Sequence, residues 1–578
     1  MPVRRVPRLP HVAALDGIRA FAVAGVLLYH GRVEWLPGGF LGVDVFFVLS
    51  GFLITSLLLA ERRATGTVNL RAFWLRRARR LLPAAFLVIG VCLVLALGFL
   101  DDGDRTGDDA IASLLYVNNW HAIGAGASYF EEFQRPSLLM HLWSLSVEEQ
   151  FYLLWPLALG LLLRRGRGTA AAVTGAGAVA SVVAMALLFD PGDDPTRVYV
   201  GTDTHAFALL LGVLLAFAWP LGGFRGTAAP GARRLLDAAA VASLAGVVAC
   251  MVLLRDFDPW TYRGGIALAC VGAAVLIAAV SHPACSVARA FGTPVSRWIG
   301  DRSYGIYLWH WPVMALTRPG IDVRAPEPLV LLGQIAVTVL LAAASYRWVE
   351  QPIRTGSARA WLDGLRPRRR LALASGAVAF VCAMMAWAAL HDSRVTPAAA
   401  RALPDVPVVT APSTPAATTT PGTPPPRSAR KPLAVGASVM LAAEPALRRF
   451  ATVDAAIGRQ PEQIIARLRE LRDAKQLPDE VVVQMGENGP VWGADIRALQ
   501  RVLRDVERVV LVNVRMPRSW EGQVNVILAE TAGAWEAAHL ADWHEASADA
   551  DLLYDDGTHP DPAGAEAYAR VVRGALRD

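Results

Sequence analysis

Three residues near the end of the chain have the types and order that acyl transfer through a serine ester requires. Ser438 lies in "LAVGASVMLAA", an apolar strand-like run that breaks at a turn, and Asp556 and His559 lie in "LYDDGTHPDPAGAEAYA". A serine hydroxyl is a weak nucleophile until a base takes its proton, and an imidazole does this best when a carboxylate holds its other nitrogen. The spacing Asp556-x-x-His559 before an Ala-rich helix allows that orientation within one loop. His559 then reaches back to Ser438 as general base. The residue before the serine is Ala437, so no acid stands beside it.

A second set of ionisable residues lies in strongly apolar sequence, where charge is costly and usually functional. "LDGIRAFAVAGVLLYHGR" carries Arg19 and His30. Eleven residues at ~100° each return to within about 20°, so both share one helix face, roughly 16 Å apart along the axis. A local Asp16–Arg19 pair with an interfacial His30 is the plainer reading of the same stretch. "GGFLGVDVFFVLSGF" sets Asp44 among aromatics and among small residues suited to close helix packing. In "FWLRRARRLLP", read as a loop, Arg77 and Arg80 stand one turn apart, placed to hold the phosphates of an acyl-CoA or simply to anchor a cytoplasmic face. "HLWSLSVEEQFYLLWP" takes Glu148 and Glu149 into an apolar run, and "SYGIYLWHWPV" sets His310 between two tryptophans. An interfacial aromatic belt explains those tryptophans and leaves the histidine unexplained.

The elements that must position these residues follow from composition. The chain is 54% hydrophobic and only 18% charged, with a mean hydropathy of +0.37, against about 25% charged in a soluble protein, which points to many membrane crossings. Apolar runs long enough to cross a bilayer occur near 13–30, 39–60, 81–99, 141–163, 169–189, 204–221, 235–254, 264–281, 299–317, 327–348 and 371–390. With the N-terminus inside, cytoplasmic segments collect arginines such as Arg62, Arg63, Arg71, Arg76 and Arg79, and outer loops are acidic, as in "DDGDRTGDD". The formal charge of +6 then needs no nucleic-acid partner. Cys92, Cys250, Cys270, Cys285 and Cys382 show no CxxC spacing, so neither disulfides nor a cysteine metal site is expected.

An odd number of spans places everything after residue 390 outside. Residues 391–430 are rich in Pro and Thr and read as an extended linker. Residues 431–578 alternate short apolar strands (433–436, 481–485, 509–514) with amphipathic helices (461–472, 495–505, 561–575), the pattern of an α/β domain with a mostly parallel sheet.

Five ordered motifs make residues 11–355 resemble the membrane-bound acyltransferase-3 family: Arg19 with His30, "GGFLGVDVFFVLSGF", Arg77–Arg80 before Pro83, "WSLSVEEQFY", and "SYGIYLWHWP" followed by "SYRWVEQPIR". That resemblance implies ten core helices over 1–355, with 371–390 as an eleventh linking helix. It also implies transfer of an acyl group, usually acetyl from acetyl-CoA, to an extracytoplasmic carbohydrate. One departure is His205 in "TDTHAFALLLG", where the family often has arginine.

On this footing His30 is the expected base or transient acyl carrier, with Glu148 orienting it and Arg19 stabilising the thioester or CoA end. Asp44, Arg77, Arg80 and His310 complete the acyl-CoA and substrate-binding set. Acetyl-CoA enters as a donor substrate, and no resident cofactor or metal is expected.

Residues 431–578 resemble the SGNH hydrolase/transferase family, which implies a three-layer α/β domain. By that resemblance Ser438 is the nucleophile, His559 the base and Asp556 its orienting acid. The N–H of Gly458 in "AAIGRQ" and the side chain of Asn488 in "QMGENG" form the oxyanion hole. The departure is Ala437, where the family usually has Asp.

Three readings follow. In the first, the membrane half delivers acetyl outward and Ser438 passes it to a hydroxyl of peptidoglycan or another surface polysaccharide. In the second, the membrane half transfers directly and the last domain only positions glycan. The third, a transporter with an appended esterase, is disfavoured because no inverted repeat with broken helices is apparent.

Overall fold

The computed structural model describes residues 10–33, 35–100, 103–125, 136–190, 195–224, 228–256, 258–319, 322–323, 325–356, 430–516, 518, 520–548, 550–554 and 557–577. The expected span 371–390, all but the last residue of the linker, and Asp556 lie outside these residues. The chain divides into two compact units, a helical one and a sheet-containing one.

In the helical unit a helix occurs at each of the ten remaining apolar runs. These are α1 (Ala13–His30), α2 (Gly42–Thr65), α3 (Leu70–Leu95), α4 (Trp143–Leu162), α5 (Arg167–Leu188), α6 (Thr202–Ala218), α7 (Pro230–Leu253), α8 (Ile266–Ser281), α9 (Pro294–Leu316) and α10 (Glu327–Ser345). Seven helices among the described residues are long and apolar enough to cross a membrane by length and composition. The helices outside that set are α4 and α9, which carry the polar motif residues, and the shorter α6.

The third helix corrects the sequence reading. Arg77 and Arg80 are not in a loop, because α3 begins at Leu70 and continues through Pro83. Asn69 caps it by accepting from the Ala72 N–H at 2.9 Å, and buried Glu61 takes the Asn69 N–H at 3.0 Å and pairs with Arg76 at 3.3 Å. The arginines therefore stand on a fixed helix face. Gly51 in α2 lets α6 approach closely, since a Cβ there would lie 2.0 Å from the Leu209 carbonyl oxygen.

The sheet unit has five parallel strands: β1 (Leu433–Gly436), β2 (Thr452–Ala455), β3 (Glu480–Gln484), β4 (Arg508–Val512) and β5 (Ala538–Ala541), in the order β2-β1-β3-β4-β5. The central strands β1, β3 and β4 are apolar and buried, as both faces of a parallel sheet covered by helices require. Sequence reading found these three and missed the edge strands. The order reverses direction between β1 and β3, and the crevice outside the carboxyl ends of such a pair is where doubly wound sheets bind ligands.

Candidate active site

In the sheet unit, each candidate residue sits on a loop at the carboxyl end of a strand or before the last helix. β1 ends at Gly436, Ala437 is extended (φ −116°, ψ −145°), and Ser438 opens the short helix Ser438–Ala442. Ser438 is half-buried while Ala437 and Val439 on either side are buried. Fixed neighbours thus expose one hydroxyl. His559 comes from a loop pinned at both ends: Tyr554 N–H donates to its carbonyl at 2.9 Å, and the Asp561 N–H reaches Leu552 at 3.1 Å. Asp561 also caps the helix Pro562–Ala575 through the Gly564 N–H at 2.7 Å. That helix is tied to the end of β3 by a buried hydrogen bond from Tyr568 OH to Gln484 Oε1 at 2.8 Å. The result is a distance of 2.8 Å between His559 Nε2 and Ser438 Oγ across 121 residues of sequence. An imidazole at that separation is placed to take the serine proton.

Asn488 follows β3 in a loop shaped by Gly486, whose φ of +116° favours glycine and whose carbonyl accepts from Trp520 Nε1 at 3.0 Å. Asn488 Nδ2 donates to the Arg459 carbonyl at 3.3 Å, joining this loop to the exposed turn of Gly458 after β2. Arg459 donates to the carbonyl of Asp454 at 2.8 Å and pairs with its carboxylate at 2.9 Å, which fixes that turn against β2. The two expected oxyanion-hole residues thus belong to loops in direct contact. The residue before Asn488 is Glu487, 4% exposed, whose carboxyl burial pushes up to about 7. Its setting in "QMGENG" carries no sequence signal for a role.

In the helical unit the candidates separate into three groups. The first is a cavity whose lining includes Arg19, Arg77, Arg80, Glu148, Ser50 and Tyr152. Arg19 also donates to Asp16 at 3.2 Å, so the local pair and the cavity position coexist. The Arg77 guanidinium lies 5.6 Å from the centre of the Tyr152 ring. Glu148 accepts from the Ser50 hydroxyl and from Tyr152 OH at 2.7 Å. Three guanidinium groups on one cavity suit a polyanion such as a pyrophosphate, with bidentate donors matched to its oxygens.

The second group contains His30, which is not oriented by Glu148 as the sequence suggested. Glu148 bonds elsewhere, and His30 instead meets His310, with Nδ1 3.2 Å from His310 Nε2 and 3.1 Å from the Val26 carbonyl. His310 Nδ1 lies 2.5 Å from the Tyr307 carbonyl, which can only accept, so with a neutral ring its Nε2 is an acceptor. Both neighbours of His30 Nδ1 are then acceptors. That arrangement favours the His30 tautomer protonated on Nδ1. His141, which the sequence reading passed over at the head of "HLWSLSVEEQFY", packs its ring 5.6 Å from that of His310.

The third group corrects the expectation for Asp44. Neither Asp44 nor His310 lines the arginine cavity. Asp44 is fully buried and bonded to His205 Nε2 at 2.7 Å, while His205 Nδ1 faces the Tyr199 carbonyl. His205 thus faces oxygen atoms with both nitrogens, on Tyr199 and on Asp44. Its departure from the expected residue leaves Asp44 partnered.

The family model of the acyltransferase domain (Acyl_transf_3) matches residues 12–347. The chain is 34% identical to the peptidoglycan O-acetyltransferase OatA of Listeria monocytogenes serovar 1/2a, over 98% of each chain. It is 32% identical to the O-acetyltransferase OatA of Staphylococcus aureus (strain NCTC 8325 / PS 47), over 97% of this chain and 95% of that one. Among solved structures, the C-terminal catalytic domain of Streptococcus pneumoniae peptidoglycan O-acetyltransferase A covers 26% of this chain and 93% of its own, at 23% identity and a TM-score of 0.25. The chain belongs to the acyltransferase-3 family and is a multi-pass membrane O-acetyltransferase.

Proposed function

We propose that the chain moves an acetyl group from cytoplasmic acetyl-CoA to hydroxyl groups of peptidoglycan outside the membrane, with Ser438 carrying the group as an ester in the last step. The N-terminus is cytoplasmic in this reading, with the arginines of 62–80 on the inner face. Peptidoglycan is named as acceptor because the Listeria relative bears that name over its whole length.

Arg19, Arg77 and Arg80 hold the phosphates of the donor in their shared cavity. His30 Nε2 acts as base or transient acyl carrier, with His310 and the Val26 carbonyl facing its Nδ1. In the last step Ser438 Oγ attacks the acyl carbonyl as His559 Nε2 takes its proton. The tetrahedral oxyanion is met by the Gly458 N–H and by Asn488 Nδ2. The carrier leaves with the proton from His559. An acceptor hydroxyl then attacks the serine ester, again giving its proton to His559, and the acetylated glycan departs as Ser438 is restored.

The observation that carries this reading is the 2.8 Å contact between Ser438 and His559. Base-released acetate from purified peptidoglycan and from polysaccharide fractions tests it, comparing cells with the native chain and with Ser438→Ala. Loss of wall acetate with the protein present in the membrane is the expected result. Unchanged acetate would sink the serine relay and leave direct transfer by the membrane half.

A further inference from the structure

The helix that begins at Ser438 has no cap of its own. Its N-cap residue is Ala437, and no side chain of that residue reaches the free N–H groups of the first turn. Such an omission weakens a helix start, and here it falls on the turn that presents the candidate nucleophile. Ala437 is fully buried. Glu487 approaches the same turn from the loop after β3. Both its carboxyl oxygens are buried without a hydrogen bond of standard geometry among the described residues. The donors facing them are its own backbone N–H and those of Ala437 and Val439.

We propose that Glu487 is the positioning residue of the Ser438 turn, a cap supplied in trans from the neighbouring strand to the amides of Ala437 and Val439. Burial pushes its carboxyl up to about 7 while those amides pull the other way. Among the described residues Tyr568 is the titratable group coupled to it, from the last helix. Tyr568 in turn bonds Gln484 at the end of β3 and so ties that strand to the helix that follows His559. The placement of Glu487 answers the missing acid at 437: the acceptor comes from the loop that also carries the candidate oxyanion-hole amide.

The inference rests on Ser438 being the nucleophile, so the test separates the two. Phenylmethylsulfonyl fluoride is reacted with the full-length chain in detergent. Ser438 Oγ forms an S–O bond, the S–F bond breaks, fluoride leaves, and the hydroxyl proton passes to His559. Mass spectrometry of the Ser438 peptide reads the rate. Glu487→Leu keeps the volume and removes the acceptor, and the labelling rate is expected to fall about tenfold, the equivalent of one lost cap. Glu487→Gln keeps an acceptor oxygen and should retain most of the rate, as should the double variant Ala437→Asp/Glu487→Ala, which returns a carboxylate from the other side of the turn. If Glu487→Leu labels as fast as the native chain, or if Glu487→Gln is as slow as Glu487→Leu at an unchanged melting temperature, the inference is overturned. Should Glu487→Leu fail to accumulate, rescue of Glu487→Ala by Ala437→Asp decides alone, and its absence rejects the cap. A native chain unlabelled at Ser438 rejects the nucleophile reading itself.

Discussion

In the sheet unit the reactive groups come from loops at one edge of a parallel sheet. In the helical unit they hang from the sides of helices packed across one another. The first arrangement sets His559 on Ser438 and the Asn488 loop on the Gly458 turn, because parallel strands deliver every β-to-α loop to the same edge. The second keeps its groups apart. Arg19 at one end of α1 lines a cavity with Arg77 and Arg80, and His30 at the other end meets His310. A single helix thus serves two chemical environments, one suited to holding anions and one to handling a proton. Under the proposed function this contrast is a division of labour, with transfer along a path in the helical unit and one point of attack in the sheet unit.

If the two sites act in sequence, breaking the second should stop transfer and leave the first intact. His559→Ala removes the general base, and the expected loss of Ser438 sulfonylation and of wall acetylation is on the order of 10⁴-fold or more. Release of CoA thiol from acetyl-CoA by membranes holding this variant should continue at a measurable rate. If that release stops as completely as wall acetylation, the two regions do not divide the work. Asn488→Ala is the next largest effect, about 10²–10³-fold, by loss of one donor to the oxyanion. Its signature is a fall in turnover with little change in the dependence on glycan concentration.

Much of this was readable in the sequence because it depends on order and local spacing. The bounds of α1 match the apolar run, and the Ser438 and His559 motifs lie at opposite ends of one α/β unit, as the structure finds them. Three kinds of information were not readable. The edge strands "TVDA" and "AHLA" are four-residue runs broken by Asp454 and His539 and only partly buried, so no apolar run marks them, and they form because β1 and β4 offer unpaired edges. Arg77 and Arg80 depress the hydropathy of a true helix, so the run was read as a loop until its apolar part began. Cross-helix partners are set by packing, which a single sequence does not reveal. Hence Glu148 was matched to His30 when its partners are Ser50 and Tyr152, and Asp44 was placed at the donor site when it holds His205. Tyr152 had a signal, since it lies four residues after Glu148 on one helix face.

The helical side of the comparison is sharpened by His310. Replacing it with Ala removes one of the two acceptors at His30 Nδ1 and the ring that packs beside it, and acetate transfer to the wall should fall by about 10²-fold, part of what a general base contributes. Labelling of Ser438 should not change. A parallel fall in that labelling would mean that His310 acts on the fold and not on His30.

The smallest effect is on stability, and its sign follows from Glu487. A carboxyl whose folded value is raised from 4.5 to about 7 binds its proton more tightly in the folded state. The stability this gives is full below about pH 4.5 and is lost as pH rises through 7, a change of about 3 kcal/mol at most. Amide exchange in peptides covering β1 and β3 of the intact chain should therefore quicken between pH 5 and 8 beyond the intrinsic base catalysis of exchange. In Glu487→Gln, which has no proton to lose, that extra acceleration should vanish, while peptides from α1 to α10 keep the native profile. If both chains show the same excess, the proton is held elsewhere and the cap at Ser438 is not ionisable.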